Sequence, residues 1–135
     1  MNKQDSLIRI AREASKKARC HISGYHVGAA IFTDLGIFRG CNIEFDNFSN
    51  TLHAEEVAIG CAIANGATKF LAIAVWSQDC AYPCGMCRQS LFEIGGAEMG
   101  VFAASPSYTN ETIMGRLLPY GFKFIDCGMT QLGSR

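Results

Sequence analysis

The stretch "TLHAEEVAIGCAIA", residues 51–64, begins with one histidine and two glutamates and then continues without a charged side chain. The small and apolar residues from Val57 onward favour a helix, which the Asn-Gly pair that follows would end. A helix without charges has to be covered on nearly all sides, so we expect it to lie against other layers of the protein. The three titratable side chains at its start need a separate explanation.

The segments around this helix predict one mixed sheet covered by helices. Residues 5–19 have the apolar spacing of an amphipathic helix, with Asp5 or Ser6 as its cap. Residues 27–33 and 36–43 predict two strands joined by a tight turn. The later segments predict, in order, a helix at 54–65, a strand at 70–76, a helix at 84–94, a strand at 99–105, a helix at 110–118 and a last strand at 122–125.

This order of elements predicts an α/β fold, a three-layer α/β/α sandwich with a central mixed sheet. The length of 135 residues fits one domain over 1–135, and 49% hydrophobic residues suffice for a packed core. A net charge of zero argues against nucleic acid as a partner, because phosphate binding needs a basic surplus. The sequence has no apolar run of membrane-spanning length and no signal peptide, so we expect a cytoplasmic protein whose seven cysteines are mostly reduced.

The stretch "YPCGMCRQ", residues 82–89, places two cysteines three positions apart at the predicted start of a helix. Residues with this spacing share one helix face, so both sulfurs can reach one metal ion. The helix dipole at this end should lower the pKa of both thiols. Taken alone, the pair Cys84 and Cys87 leaves three interpretations open: a redox pair, half of a structural zinc site, or another metal site.

His53 favours a catalytic metal site, because it also stands at the start of a predicted helix. One strand separates the two helices, and right-handed crossovers would bring both helix starts to the same end of the sheet. His53, Cys84 and Cys87 would then bind one zinc ion and leave one tetrahedral position open, as in catalytic sites. His21 and His26 do not precede a helix, and we expect them to be ordinary surface or partly buried histidines.

Glu55 lies two residues after His53, about 200° further around the helix. The two side chains therefore cannot both bind an ion beside the helix, but both can approach an ion beyond its N-terminal end. Glu55 would then stand over the open zinc position as a proton carrier. The alternative role of Glu55 is stabilisation of the helix dipole. We expect Glu56 to have a structural role or to form an ion pair.

The sequences "HAE" at 53–55 and "PCGMC" at 83–87 match the signature of zinc-dependent nucleobase deaminases. Over residues 5–125 the chain resembles the small, single-domain cytidine deaminases. The stretches "VGAA" at 27–30, "GCNIE" at 40–44 and "LLPYGF" at 117–122 carry this resemblance. It implies hydrolytic deamination of cytidine or deoxycytidine to uridine or deoxyuridine with release of ammonia. Zinc would be the cofactor and a nucleoside the small-molecule substrate. We expect pyrimidine salvage as the cellular role, with detoxification as the alternative.

The resemblance also assigns substrate contacts. Asn42 and Glu44 would hold the ribose hydroxyls. The backbone around Ala54 and Cys84 would orient the base, because the amides at a helix N-terminus point into the site. Tyr25 occupies the position of an aromatic residue that lies against the base, where phenylalanine is usual in the family. Phe122 matches a residue that enters a neighbouring subunit's site in tetrameric members.

One ligand departs from the pattern of the short members of the family. They mostly use cysteine as the first ligand, in Cys-Ala-Glu-Arg, whereas this chain has His53 and, at position 56, Glu. Histidine is typical of longer, two-domain, dimeric members. We expect a homo-oligomer, a homotetramer with a dimer as the alternative.

Other functions remain open at this point. The chain could deaminate another cytosine nucleoside such as blasticidin S, and Arg39 and Arg88 keep a nucleotide substrate open. In a different class, it could be a non-catalytic zinc-stabilised binding module. A redox protein working through Cys84 and Cys87 would carry no zinc.

Overall fold

The computed structural model of the chain describes residues 2–123. Its helices are α1 (Lys3–Ser15), α2 (Ala54–Ala64), α3 (Gly85–Gly95) and α4 (Met114–Leu117). Its strands are β1 (Gly28–Thr33), β2 (Gly36–Cys41), β3 (Phe70–Trp76), β4 (Gly100–Ala104) and β5 (Thr109–Ile113). None of these helices combines the length and the apolar composition that a membrane span needs.

The strands form one sheet in the order β2-β1-β3-β4-β5. β3 and β4 run parallel, and α3 lies between them in the chain as the crossover connection. The other neighbouring strands are antiparallel. The predicted mixed sheet is therefore confirmed.

The two faces of the sheet pack against different helices. Side chains alternate between the faces along each strand. Ile31 and Ile73 belong to a core shared with α2 and α3, whereas Ala30 and Ala74 pack with Leu7 and its neighbours on α1. Helices thus cover both faces, which confirms the three-layer α/β/α sandwich.

Two glycines allow the helices to approach the sheet closely. A Cβ atom on Gly28 would lie 1.8 Å from the carbonyl oxygen of Ala11 in α1. A Cβ atom on Gly40 would lie 2.4 Å from the carbonyl oxygen of Ala54, the first residue of α2. Both distances are far inside van der Waals contact, so the start of α2 can sit on β2 only because position 40 has no side chain.

The first helix begins earlier than the sequence predicts. The cap is Asn2 rather than Asp5 or Ser6, and its side-chain oxygen accepts a hydrogen bond from the backbone N–H of Asp5 at 2.8 Å. Leu7, Ala11 and Ala14 form the buried stripe that the apolar spacing predicts. The predicted packing face is thus confirmed, although the helix ends at Ser15 rather than at residue 19.

The predicted helix over residues 110–118 is wrong in its first half. Thr109–Ile113 forms strand β5, which pairs with β4 at the edge of the sheet, and only Met114–Leu117 is helical. The strand is mostly exposed and lacks apolar alternation, so its backbone pairing is what defines it. The predicted last strand at 122–125 is not formed at residues 122 and 123, and residues 124 and 125 lie outside the described range.

The predicted cover around the uncharged helix is incomplete among residues 2–123. Ala54, Ala58 and Ala62 of α2 are buried against the sheet. On its outer side Ile63 is 51% exposed, and Cys61 is also exposed. An uncharged helix face therefore remains exposed in the part of the chain that the structure describes.

Candidate active site

His53 precedes the first turn of α2 in an extended backbone conformation, with φ −80° and ψ 152°. Its backbone N–H donates a hydrogen bond to the Glu56 carboxylate at 2.9 Å. This contact fixes the start of the helix and the direction of the histidine. It gives Glu56 the structural role that the sequence suggests. Glu55 does not take part in this contact and lines the cavity instead.

Cys84 stands in the same position relative to α3 as His53 does to α2, again with an extended backbone. Cys87 follows in the first turn and is fully buried. Arg88 secures this helix start, since its guanidinium donates to the carbonyl oxygens of Pro83 at 2.7 Å and Leu117 at 3.1 Å. These two contacts give Arg88 a structural role at the start of α3.

The side chains of His53, Cys84 and Cys87 meet although they come from two separate helices. The Nδ1 atom of His53 lies 3.3 Å from the Cys84 sulfur and 3.4 Å from the Cys87 sulfur. The three ligand atoms all lie within 4.8 Å of one another. Among residues 2–123 these three side chains form the only such cluster of potential metal ligands.

This donor set fits zinc. Tetrahedral zinc has Zn–S and Zn–N bonds of about 2.3 and 2.0 Å, which places nitrogen and sulfur ligands about 3.5 Å apart. The observed separations of 3.3 and 3.4 Å are close to that value. Two thiolates and an imidazole are also a donor set that zinc prefers over magnesium or calcium.

The expected lowering of the thiol pKa by the helix dipole does not hold for Cys87. Burial raises the pKa of Cys87, and the nearby Glu55 and Cys84 groups raise it further. Desolvation and like charge thus outweigh the helix terminus here. A bound cation would reverse this balance, because metal coordination deprotonates a thiol.

Glu55 is 5% exposed and lies beside the cluster without belonging to it. Burial raises the pKa of the Glu55 carboxyl group. A carboxyl group with a raised pKa holds a proton more readily than a solvated one, which is a property that general acids and bases use. The structure therefore places a buried carboxyl group next to the cluster of potential metal ligands.

A cavity of about 290 Å³ opens in front of these groups. Of the residues predicted for the site, it is lined by Tyr25, Asn42, His53, Ala54, Glu55 and Cys84. Cys87 reaches the site through the ligand cluster. The size of the cavity is suited to a small molecule.

Asn42 forms part of the cavity wall and is 8% exposed. Its side-chain oxygen accepts from the backbone N–H of Val27 at 2.9 Å, and its amide group donates to the Tyr25 carbonyl at 2.7 Å. An amide group has two donors and two acceptor sites, so Asn42 retains capacity for a substrate hydroxyl.

Glu44 and Phe122 are not among the residues that line the cavity. The Glu44 carboxylate is buried and accepts from the backbone N–H groups of Ile22 and Ser23, each at 3.0 Å, and from the Ser23 hydroxyl at 2.5 Å. Phe122 is 49% exposed, and its carbonyl accepts from Gln89 at 2.7 Å. The roles predicted for both residues stay predictions.

Several lining residues were not predicted from the sequence. Ser77, Ala81 and Tyr82 come from the loop between β3 and α3, and Thr51 precedes His53. This loop follows the carboxyl end of a parallel strand, where ligands commonly bind in α/β sheets, so its contribution to the cavity could have been predicted from the order of elements. The Thr51 hydroxyl is buried and has no hydrogen-bond partner among residues 2–123. It can therefore form a hydrogen bond with a bound molecule.

The two other histidines have partners away from the cluster. His21 contacts Asp46 at 2.8 Å, and His26 contacts the Ser15 carbonyl at 3.1 Å. These contacts agree with the prediction that neither histidine is a metal ligand. The cysteines within the described part of the chain form no disulfides.

Comparison with known families matches residues 1–103 to the model described as the cytidine and deoxycytidylate deaminase zinc-binding region. The chain belongs to this family. Zinc is accordingly its cofactor, and the chain is a hydrolytic deaminase with a small-molecule substrate.

Curated relatives and solved structures agree with this assignment. A cytidine deaminase of Sporosarcina psychrophila is 34% identical over 122 residues, which cover 87% of this chain and 90% of the relative. A cytidine deaminase of Mycobacterium tuberculosis is 39% identical over 93 residues, 66% of this chain and 69% of the relative. The crystal structure of a Burkholderia pseudomallei cytidine deaminase is 35% identical and superposes with a TM-score of 0.84, covering 90% of this chain and all of that one.

Proposed function

We propose that this protein deaminates cytidine and deoxycytidine by hydrolysis, giving uridine or deoxyuridine and ammonia. The observation that carries the proposal is the buried Glu55 beside the cluster of His53, Cys84 and Cys87, at the wall of a cavity of about 290 Å³. The resemblance of the chain to cytidine deaminases over most of its length supports this substrate class.

His53, Cys84 and Cys87 would hold the zinc ion. Three protein ligands leave one position of a tetrahedral ion for water. Bound zinc lowers the pKa of a coordinated water and so supplies a nucleophile at neutral pH. Two thiolates and a neutral imidazole balance the charge of the ion, and no further protein charge is needed.

Glu55 would carry the protons of the reaction. Its carboxylate takes one proton from the attacking water and gives it to the ring nitrogen next to C4. As the C4–amine bond breaks, Glu55 transfers the remaining proton of the former water to the amino group, which leaves as ammonia. Water and cytidine thus become uridine and ammonia, and Glu55 ends as it began.

The other predicted residues would position the nucleoside. The Tyr25 ring would lie against the base, and backbone groups at Ala54 would orient it. Asn42 and Glu44 would hold the ribose hydroxyls. The position of Tyr25, Asn42 and Ala54 in the cavity wall supports these roles. The Thr51 hydroxyl, which has no partner among residues 2–123, adds a further polar group for the substrate.

We also propose that the protein is a homotetramer in which Phe122 enters a neighbouring subunit's site. The uncharged outer face of α2, with Ile63 and Cys61 exposed, supports association with a second copy of the chain. Sedimentation equilibrium should give four chains per particle, whereas a two-chain particle would support the dimer and a monomer would contradict association.

The free cysteines support a reducing compartment, and we propose a cytoplasmic enzyme of pyrimidine salvage.

An ultraviolet assay of cytidine conversion, with ammonia measured in parallel, tests the function. We expect turnover that a zinc chelator abolishes and added zinc restores. Faster conversion of blasticidin S than of cytidine would contradict the proposed substrate. Zinc-dependent folding without ammonia release would instead indicate a non-catalytic binding module.

A further inference from the structure

Tyr25 is held at three points around the cavity. Its backbone N–H donates to the Ser23 hydroxyl at 3.0 Å, and its carbonyl accepts from Asn42 at 2.7 Å. Its own hydroxyl donates a hydrogen bond to the carboxylate of Asp79. The side chain is nevertheless 39% exposed, so these contacts rather than burial determine where the ring lies.

Asp79 belongs to the loop that joins β3 to α3. The same oxygen that accepts from Tyr25 also accepts from the Ser77 hydroxyl at 3.1 Å. The Ser77 hydroxyl in turn accepts from the backbone N–H of Ala81 at 3.0 Å, and Ser77 is 1% exposed. The carboxylate therefore has a fixed position within an ordered hydrogen-bond chain.

The contact between Tyr25 and Asp79 connects two segments that are 54 positions apart in sequence. Both segments line the same cavity, one through Tyr25 and Val27 and the other through Ser77 and Ala81. The second segment runs directly into Cys84, one of the three clustered ligand residues. The hydrogen bond thus ties the aromatic wall of the cavity to the segment that leads into the cluster.

The protonation states of the pair suit this contact. Burial raises the pKa of the Tyr25 hydroxyl, and its hydrogen bond to Asp79 raises it further. The same hydrogen bond is the main cause that lowers the pKa of Asp79. At neutral pH the pair is a neutral hydroxyl donating to a carboxylate, which is a strong type of hydrogen bond.

We propose that Tyr25 and Asp79 act as one unit that fixes the Tyr25 ring against the planar base of a pyrimidine nucleoside, which makes Asp79 a positioning residue for the reaction. This inference rests on the proposed function. A phenylalanine at position 25 would keep the ring but lose the contact, so the hydroxyl, and not only the ring, matters for binding. Asp79 itself need not touch the substrate.

Steady-state kinetics with cytidine on Tyr25→Phe, Asp79→Ala and the double variant test the proposal. We expect KM to rise about threefold to tenfold in each single variant, with kcat within about twofold of the wild type. The KM of the double variant should be no higher than that of the more strongly affected single variant, because either change alone already breaks the pair. Tyr108→Phe makes the same chemical change at a tyrosine that is 58% exposed, and its KM should match the wild type.

An unchanged KM in either single variant would overturn the proposal, and so would multiplicative losses in the double variant. A fall in melting temperature with KM unchanged would mean that the pair only stabilises the loop, which also overturns it. These outcomes can be interpreted only when the wild-type protein converts cytidine. A wild-type protein that binds zinc but does not convert cytidine would overturn the proposed function itself, and the role of the pair with it.

Discussion

The two walls of the cavity differ in where their polar side chains find partners. On the wall formed by the starts of α2 and α3, His53, Cys84 and Cys87 approach one another and converge on one point. On the opposite wall, Asn42 binds the backbone of Tyr25 and Val27, and Glu44, which lies outside the cavity lining, supports this wall by binding the backbone of residues 22 and 23. The first arrangement is completed by a metal ion, whereas the second is largely complete within the chain.

This difference shows which wall should respond to which change. A ligand cluster depends on an added ion, so removing one donor should remove the metal and the chemistry together. The self-bonded wall supports the shape of the cavity, so changes there should act on binding and stability more than on the chemical step. The variants below separate these effects, beginning with the largest.

Cys84→Ala should have the largest effect. Cys84 is exposed, so its loss leaves no cavity in the core and acts through the cluster alone. We expect zinc content to fall well below one ion per chain and turnover to drop by at least about a thousandfold. Metal analysis and the cytidine assay measure both quantities. Cys61→Ala, at an exposed cysteine of α2, is the matched control and should keep its zinc.

Glu55→Gln should separate proton transfer from metal binding on the same wall. Glutamine has nearly the same shape but cannot carry a proton, so turnover should fall by about a hundredfold to ten-thousandfold. Zinc content should stay near that of the wild type, because Glu55 lies outside the ligand cluster. Retained turnover would remove Glu55 from the mechanism, and lost zinc would mean that it helps to hold the metal.

Asn42→Ala should show the character of the opposite wall. The change leaves the Val27 N–H and the Tyr25 carbonyl without their partner, which should cost roughly 2–3 kcal/mol of unfolding free energy. KM for cytidine should rise while zinc content is unchanged. Urea unfolding and steady-state kinetics provide the measurements. Asn42→Asp keeps the acceptor for Val27 but places a buried carboxylate oxygen against the Tyr25 carbonyl, so at neutral pH it should lose at least as much stability as Asn42→Ala, and a clearly smaller loss would argue against the two-sided contact.

Glu44→Gln should give the smallest effect, and one that depends on pH. Hydrogen bonds, first of all from the Ser23 side chain, lower the pKa of Glu44 in the folded protein. A lowered carboxyl pKa contributes stability above the unfolded-state value and loses it as pH falls through the folded-state value. The variant should therefore be less stable than the wild type at neutral pH, and the difference should shrink below about pH 4.

Unfolding measured from pH 7 to pH 3 tests this sign. In Ser23→Ala, the control, Glu44 loses the hydrogen bond that lowers its pKa most. The pH at which the Glu44 carboxylate stops contributing to stability should therefore be higher in this variant than in the wild type. A stability difference that is constant over this range would show that the Glu44 charge contributes nothing.

The metal-binding wall could be predicted from the sequence because its residues form recognisable local patterns. The Cys-x-x-Cys spacing places two sulfurs on one helix face, and His53 marks a second helix start. Only the crossover rule was needed to bring the two together. The layers of the fold followed in the same way from apolar periodicity along α1 and β3.

The opposite wall could not be predicted in the same way, because its contacts join residues that no local pattern relates. The bond from Tyr25 to Asp79 and those from Ser23 to Glu44 depend on how loops meet in space. Strand β5 escaped prediction for a similar reason, since its polar residues show no alternation and only pairing with β4 defines it. Backbone pairing at a sheet edge leaves little trace in side-chain chemistry.

X-ray absorption at the zinc edge of the purified wild-type protein tests the central claim most directly. Our account predicts one zinc ion per chain with two sulfur neighbours at about 2.3 Å and two lighter neighbours at about 2.0 Å, one from the imidazole and one from solvent. Such an ion has room for the nucleophile. A shell of three or four sulfurs, drawn from the other cysteines of the chain, would contradict the account, as would a shell of light atoms alone.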